Sequence, residues 1–250
     1  MEDNHARSNA EEEVCLYLPR LQGTHEHPDD FSLDEEALNT VLAPPLRVLL
    51  NEAIAVNSTA FEDVDVGTGK REFVGSKTES ALLMLAQRLG WANFKKVRDD
   101  AEVTQIFPFS SERKVMGVVV KVGKSRWRLY LKGASEILTK RCVKHVVVHQ
   151  SGGGMMAGDE VETADICELD GDNISRTIIF YANQTLRTIA LCYRDFNSWP
   201  PKGVDCMAED EVSYFSSCFF VRSCCIVLSL VIGGVRGPGV RPHAYRYCGH

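Results

Sequence analysis

The chain has 250 residues, 44% hydrophobic and 25% charged, with a formal net charge of -6. That composition suits one sizeable hydrophobic core with flexible ends rather than a disordered polymer. The acidic balance excludes a basic nucleic-acid surface, so any phosphate ligand must be held by a few placed cations. The nine cysteines are odd in number and scattered, and Met1-Glu2-Asp3-Asn4 lacks the features of a secretory signal. A reducing, cytoplasmic setting is expected, which makes the Asn-x-Ser/Thr matches at Asn57, Asn173 and Asn183 chance hits. No membrane span is expected: the apolar run Cys224 to Ile232 falls short of the ~20 residues required, and Arg222 interrupts its upstream side.

In chain order, residues 1–13 are acidic and polar and are expected to be disordered, with Val14 to Leu18 a first strand. Pro44-Pro45 breaks the chain before Leu46 to Val56, whose apolar spacing suits a buried helix. A loop through Gly67 and Gly69 follows; its Gly-Thr-Gly-Lys wording lacks the first glycine and the final Ser/Thr of a P-loop. Ser76-Lys77-Thr78-Glu79 has the form of a capping box, and the helix it opens ends at Gly90. Asn93 to Val103 reads as a more polar helix, and Val115 to Val122 with Arg126 to Leu131 as a hairpin turning at Gly123-Lys124.

Ala134 to Arg141 reads as a short helix, Lys144 to His149 as a strand, and Gly152 to Asp172 as a flexible surface insertion. His145 and His149 would share one strand face, too far apart to hold one metal ion. Ile174 to Leu186 then reads as a helix and Thr188 to Tyr193 as a buried strand. Strands and helices without regular alternation predict an α+β fold with a largely antiparallel sheet and flanking helices.

The chemistry concentrates between Phe107 and Glu136. Phe109 stands near a strand end, Lys114 follows five residues later, and Lys132 precedes Gly133. An aromatic face for a base and two ammonium groups for phosphates make a cradle for ATP. Phe107, two residues from Phe109, competes for the stacking role. In a regular strand Lys114 would face away from Phe109, so a bend or bulge at Ser110-Ser111 is expected. Lys132 reads as a mobile ammonium, and Gly133 as the residue that lets a nucleotide approach the backbone. Glu79 is either a capping-box member bonded at Ser76 or an acceptor for a ligand amino group.

Phe107-Pro108-Phe109-Ser110-Ser111-Glu112-Arg113-Lys114, Lys132-Gly133-Ala134-Ser135-Glu136-Ile137-Leu138 and Gly75 to Leu82 together resemble the nucleotide-binding domain of P-type ATPases. The wording is similar to the plasma-membrane or vacuolar type of calcium pump, in which Ser111 also fits. The resemblance spans about Val14 to Val212. It implies that Glu79, Phe109, Lys114, Lys132 and Gly133 bind ATP, that Arg187 of Leu186-Arg187-Thr188 meets its phosphate end, and that Mg2+ enters only as the counter-ion of ATP.

The Asp-Lys-Thr-Gly-Thr, Thr-Gly-Glu and Gly-Asp-Gly-x-Asn-Asp signatures of those pumps do not occur in the 250 residues. Residues 213–250 are read as a degenerate tail, in which Ile232 to Pro242 only echoes the family's hinge. The expectation is therefore a truncated ATP-binding domain (14–212), without catalytic residues, that binds ATP without turnover. Its partner would be the phosphorylation domain of a pump in the vacuolar or plasma membrane. The alternatives are a truncated paralogue acting as an interaction protein on a full-length pump, and a gene fragment without function.

Overall fold

The computed structural model describes residues 14–16, 35–64, 66–67, 69–148, 161–183, 186–201 and 223–230. Strand β1 (Val14–Leu16) precedes helices α1 (Glu35–Val41) and α2 (Pro44–Val56). Pro44 and Pro45 open α2, where a missing N–H leaves no helical bond unmade. A separate hairpin, β2 (Phe61–Val64) and β3 (Arg71–Val74), leads to α3 (Lys77–Arg88) and α4 (Phe94–Asp100). Then come β4 (Glu102–Ser110), β5 (Val115–Lys121) and β6 (Trp127–Ala134), followed by α5 (Ser135–Leu138) and one 3-10 turn. The remainder is β7 (Cys142–Val146), β8 (Thr163–Asp165), α6 (Glu168–Asn183), β9 (Ile189–Phe196) and β10 (Ser223–Leu230).

Eight strands form one sheet in the order β4-β5-β6-β9-β10-β7-β8, with β1 also on β10. All its pairings are antiparallel except β10 with β7. The fold is thus α+β with a largely antiparallel sheet, as expected. Helices cover both faces. On one, Leu46, Leu50 and Ile54 of α2 and Leu82 and Leu85 of α3 join Val118, Val120, Tyr130 and Leu191 in a core. On the other, Leu138 and Ile174 pack with Val115, Val119, Leu129, Leu131 and Ala190. Burial on both faces explains why β5 reads as an unbroken apolar run rather than an alternating one.

Three element expectations change. Asn93 does cap α4, accepting from the Lys95 amide at 2.9 Å, but the helix stops at Asp100. Edge pairing of β4 with β5 from Glu102 onward takes over from the weak polar helix. The region read as a continuous insertion contains β8 and the start of α6, whose buried Asp170 accepts from the Cys167 amide at 3.1 Å. Finally, β10 comes from the stretch read as tail and lies between β9 and β7. Residues 1–13, Tyr17, Leu18, His149, Gly152 to Gly154 and Ile232 to Pro242 lie outside the described residues. Among the described residues no helix is long and apolar enough to cross a membrane.

Candidate nucleotide site

Register places the expected site residues at one end of the sheet. Ser110 of β4 pairs with Val115 of β5, Val115 with Gly133 of β6, and Gly133 with Ala190 of β9. Phe109 and Lys114 flank the first of these pairs, Lys132 adjoins Gly133, and Arg187 lies exposed just before β9. Topology alone brings Phe109 and Arg187 to this end.

The two phenylalanines separate by burial. Phe107 is 0% exposed in the core and Phe109 is 61% exposed. Two residues apart on a regular strand they would share an environment, but pairing slips between Phe107 and Ser110. The expected irregularity is therefore present, and it continues into a tight turn. The Lys114 amide donates to the Ser110 carbonyl at 2.6 Å, and Lys114 adopts φ 53°, a left-handed conformation uncommon outside glycine. Lys114 is exposed.

Lys132 is not the mobile ammonium the sequence suggests. It is 6% exposed, and its Nζ lies 2.9 Å from Glu79 Oε1 while also donating to the Asn57 carbonyl. Buried charge is tolerated when paired and hydrogen-bonded, which this geometry provides. The other Glu79 oxygen accepts from the Thr59 amide at 3.1 Å and the Thr59 hydroxyl at 2.9 Å. Burial pushes the Glu79 carboxyl upward, but Lys132 and the Thr59 donors outweigh it and hold it below its ordinary range. Burial lowers the Lys132 ammonium; Glu79 opposes that, and the charge of Arg98 adds to the lowering.

The capping box is corrected accordingly. Ser76 is the N-cap of α3 but makes no side-chain cap bond, and Glu79 turns to Lys132 and Thr59 instead. An ammonium across the site is a stronger partner than a backbone amide. Packing by itself requires Gly133. A Cβ there would run into the Lys114 carbonyl and come within 2.9 Å of Val115 Cγ2. The Ala134 amide also donates to that Lys114 carbonyl at 3.1 Å, so the turn carrying Lys114 is held tight against β6.

Chemically, this end offers an exposed aromatic face, exposed cations at Lys114 and Arg187, and a buried carboxylate-ammonium pair beneath. Residues 45–227 match the family described as P-type ATPase, cytoplasmic domain N. The chain belongs to that family. Calcium-transporting ATPase 2 of Cryptococcus neoformans var. grubii is 52% identical over 214 residues, 86% of this chain and 14% of the relative. Calcium-transporting ATPase 2 of Schizosaccharomyces pombe is 36% identical over 171 residues, 68% of this chain and 12% of the relative. A putative plasma membrane-type calcium-transporting ATPase 7 of Arabidopsis thaliana is 35% identical over 173 residues, 65% of this chain and 15% of the relative. The chain thus spans between 12% and 15% of the length of these relatives.

Sequence reasoning missed Asn57 and Thr59, which bond the buried pair directly, and Arg98, which bonds the Ala55 and Ala60 carbonyls on either side of them. The Asn57-Ser58-Thr59 run drew notice only as a glycosylation match. A short polar run directly after an apolar helix was the available signal, since such a run supplies carbonyls and hydroxyls at the helix end. Nothing in the sequence marks Arg98 apart from neighbouring surface charges.

The Gly133 contact gives a direct expectation. Gly133→Ala should destabilise the N domain by about 1–3 kcal/mol, the usual cost of forcing extra volume into a packed position. It should also shift the amide signals of Lys114 and Ala134. A variant that denatures at the wild-type urea midpoint would show that the strand contact tolerates a methyl group and that the glycine serves another purpose.

Proposed function

We propose that this N domain binds ATP, with the adenine stacked on Phe109, Lys114 and Arg187 meeting the phosphates, and the Glu79–Lys132 pair forming the polar floor of the site. The observation that carries this reading is Phe109, exposed at the end of the sheet that also carries Lys114 and Arg187, two residues from a Phe107 that is wholly buried. Base stacking uses an aromatic face of any orientation and contributes about 1–3 kcal/mol. Lys132 acts here through fixed charge near the ring rather than by reaching the phosphates. Mg2+ arrives with ATP as its counter-ion.

We place this domain in a calcium-transporting pump of a vacuolar or plasma membrane; the relatives' names support the calcium-transporting ATPase and, for one of them, the plasma membrane. There it would present the γ-phosphate to an aspartate on a separate phosphorylation domain, a transfer governed by positioning and electrostatics. Titrating the isotope-labelled protein with MgATP should move the amide signals of Phe109, Lys114, Lys132 and Arg187 together. Shifts elsewhere, with these four unmoved, would sink the site.

The 250 residues hold no Asp-Lys-Thr-Gly-Thr run to accept a phosphoryl group. Binding without turnover is the expected behaviour. After incubation with γ-labelled ATP and acid quenching, no labelled band should survive on a gel. A band that resists acid and disappears with hydroxylamine would reveal an acyl phosphate and overturn that expectation.

A further inference from the structure

The six residues from Ala55 to Ala60 tie together every element behind the proposed floor. Lys132 of β6 donates to the Asn57 carbonyl, and Thr59 donates twice to Glu79 of α3. From α4, Arg98 adds a fork: Nε donates to the Ala55 carbonyl at 2.7 Å and Nη1 to the Ala60 carbonyl at 2.8 Å. The guanidinium lies over the Phe94 ring, 5.0 Å from its centroid. Gly75 presses on the same segment, since a Cβ there would stand 2.8 Å from Ala60 Cα.

We propose that Arg98 is a positioning residue for the nucleotide site: its fork fixes the Ala55–Ala60 segment, and that segment in turn fixes the Glu79–Lys132 pair. The inference rests on the ATP-binding reading for its consequence, but its structural part stands without it. A lysine ammonium carries three donors but not the two fixed, coplanar ones of a guanidinium, so it would not reproduce this fork. Arg98 Nη2 is buried with no hydrogen-bond partner, a cost that is rare unless the rest of the group has a task. Its charge also bears on the pair, favouring the Glu79 carboxylate and disfavouring the protonated Lys132. Titratable groups on this side include Tyr130, two residues along β6, its partner Glu52 of α2, with the phenol 2.6 Å from the Glu52 carboxylate, and Arg128, which also interacts with Tyr130.

The test uses Arg98→Gln and Arg98→Lys in the full 250-residue chain, with the Lys132 side chain followed by NMR through a pH titration without nucleotide. In Arg98→Gln, loss of the neighbouring positive charge should move the Lys132 midpoint upward, and ATP binding should weaken about fivefold, the equivalent of one net hydrogen bond. The Thr59 amide should also exchange faster in folded Arg98→Gln, and wild-type exchange there overturns the proposal. Arg98→Lys keeps the charge and gives up the fork, so the Thr59 amide should exchange faster with solvent. Wild-type exchange at Thr59 in that variant overturns the proposal even if Arg98→Gln fails to fold. A wild-type chain that binds no ATP sinks the nucleotide reading alone, because the Lys132 midpoint and Thr59 exchange are read without nucleotide.

Discussion

Lys132→Met should lower the stability of the folded chain by about 3–5 kcal/mol, the range for leaving one partner of a buried ion pair without the other. The stranded group is Glu79, whose side chain is as buried as that of Lys132, at 7% exposure each. Thr59 would still donate to one carboxylate oxygen, but Oε1 would lose its ammonium. The double variant Glu79→Gln, Lys132→Met should lose less than Lys132→Met alone, because no charge then remains to be desolvated. Urea denaturation of the two variants checks this directly. A double variant less stable than Lys132→Met would mean that the pair is not what burial makes costly.

The same pair gives the pH dependence a sign. In the wild type the Glu79 carboxyl is held below its ordinary value of 4.5. Between that lowered value and 4.5 the unfolded chain binds more protons than the folded one. The contribution of Glu79 is therefore complete above about 4.5 and is lost as pH falls through the folded value. Without Lys132, burial is left to push the carboxyl upward, and the folded state then binds the extra proton. Lys132→Met should accordingly recover stability relative to the wild type as pH falls towards 5.

The second large effect separates two rings two residues apart. Phe107→Ala should cost about 3–5 kcal/mol of stability, since it empties a fully buried site in the core under β5 and β6. Phe109→Ala should stay within about 0.5 kcal/mol of the wild type, as substitutions at exposed positions do. Its effect should fall on ATP instead, weakening binding by about 1–3 kcal/mol. Thermal melts and calorimetric titration of both variants read the two effects separately. Loss of ATP binding in Phe107→Ala at an unchanged melting temperature would assign the stacking role to Phe107 instead of Phe109.

Periodicity and turn chemistry made most elements legible. Apolar spacing marks α2 and α3, and β-branched content around Gly123 marks β5 and β6. Boundaries failed where pairing overrode local preference, as when the β4 edge cut α4 short at Asp100. The strand β10 escaped because a cysteine-rich apolar stretch carries no alternation. Only its slot between β9, the strand just before it, and β7, three strands earlier, marks it as a strand.

The site divides along the same line. Sequence by itself determined which residue types gather: the phenylalanines before Lys114, the Lys-Gly pair, Glu79 and Arg187, all carried by short contiguous runs. It also determined that an irregularity must separate Phe109 from Lys114, because strand period and spacing disagree. Tertiary structure alone decided which phenylalanine is exposed, since the slip in pairing after Phe107 is a property of two strands together. It also decided that Lys132 is pinned to Glu79, 53 residues away, with Arg98 and the Ala55–Ala60 segment behind them. Such contacts depend on how α2, α3, α4 and β6 stack, and the free energy that sets them, desolvation balanced against pairing, has no local signature in the chain.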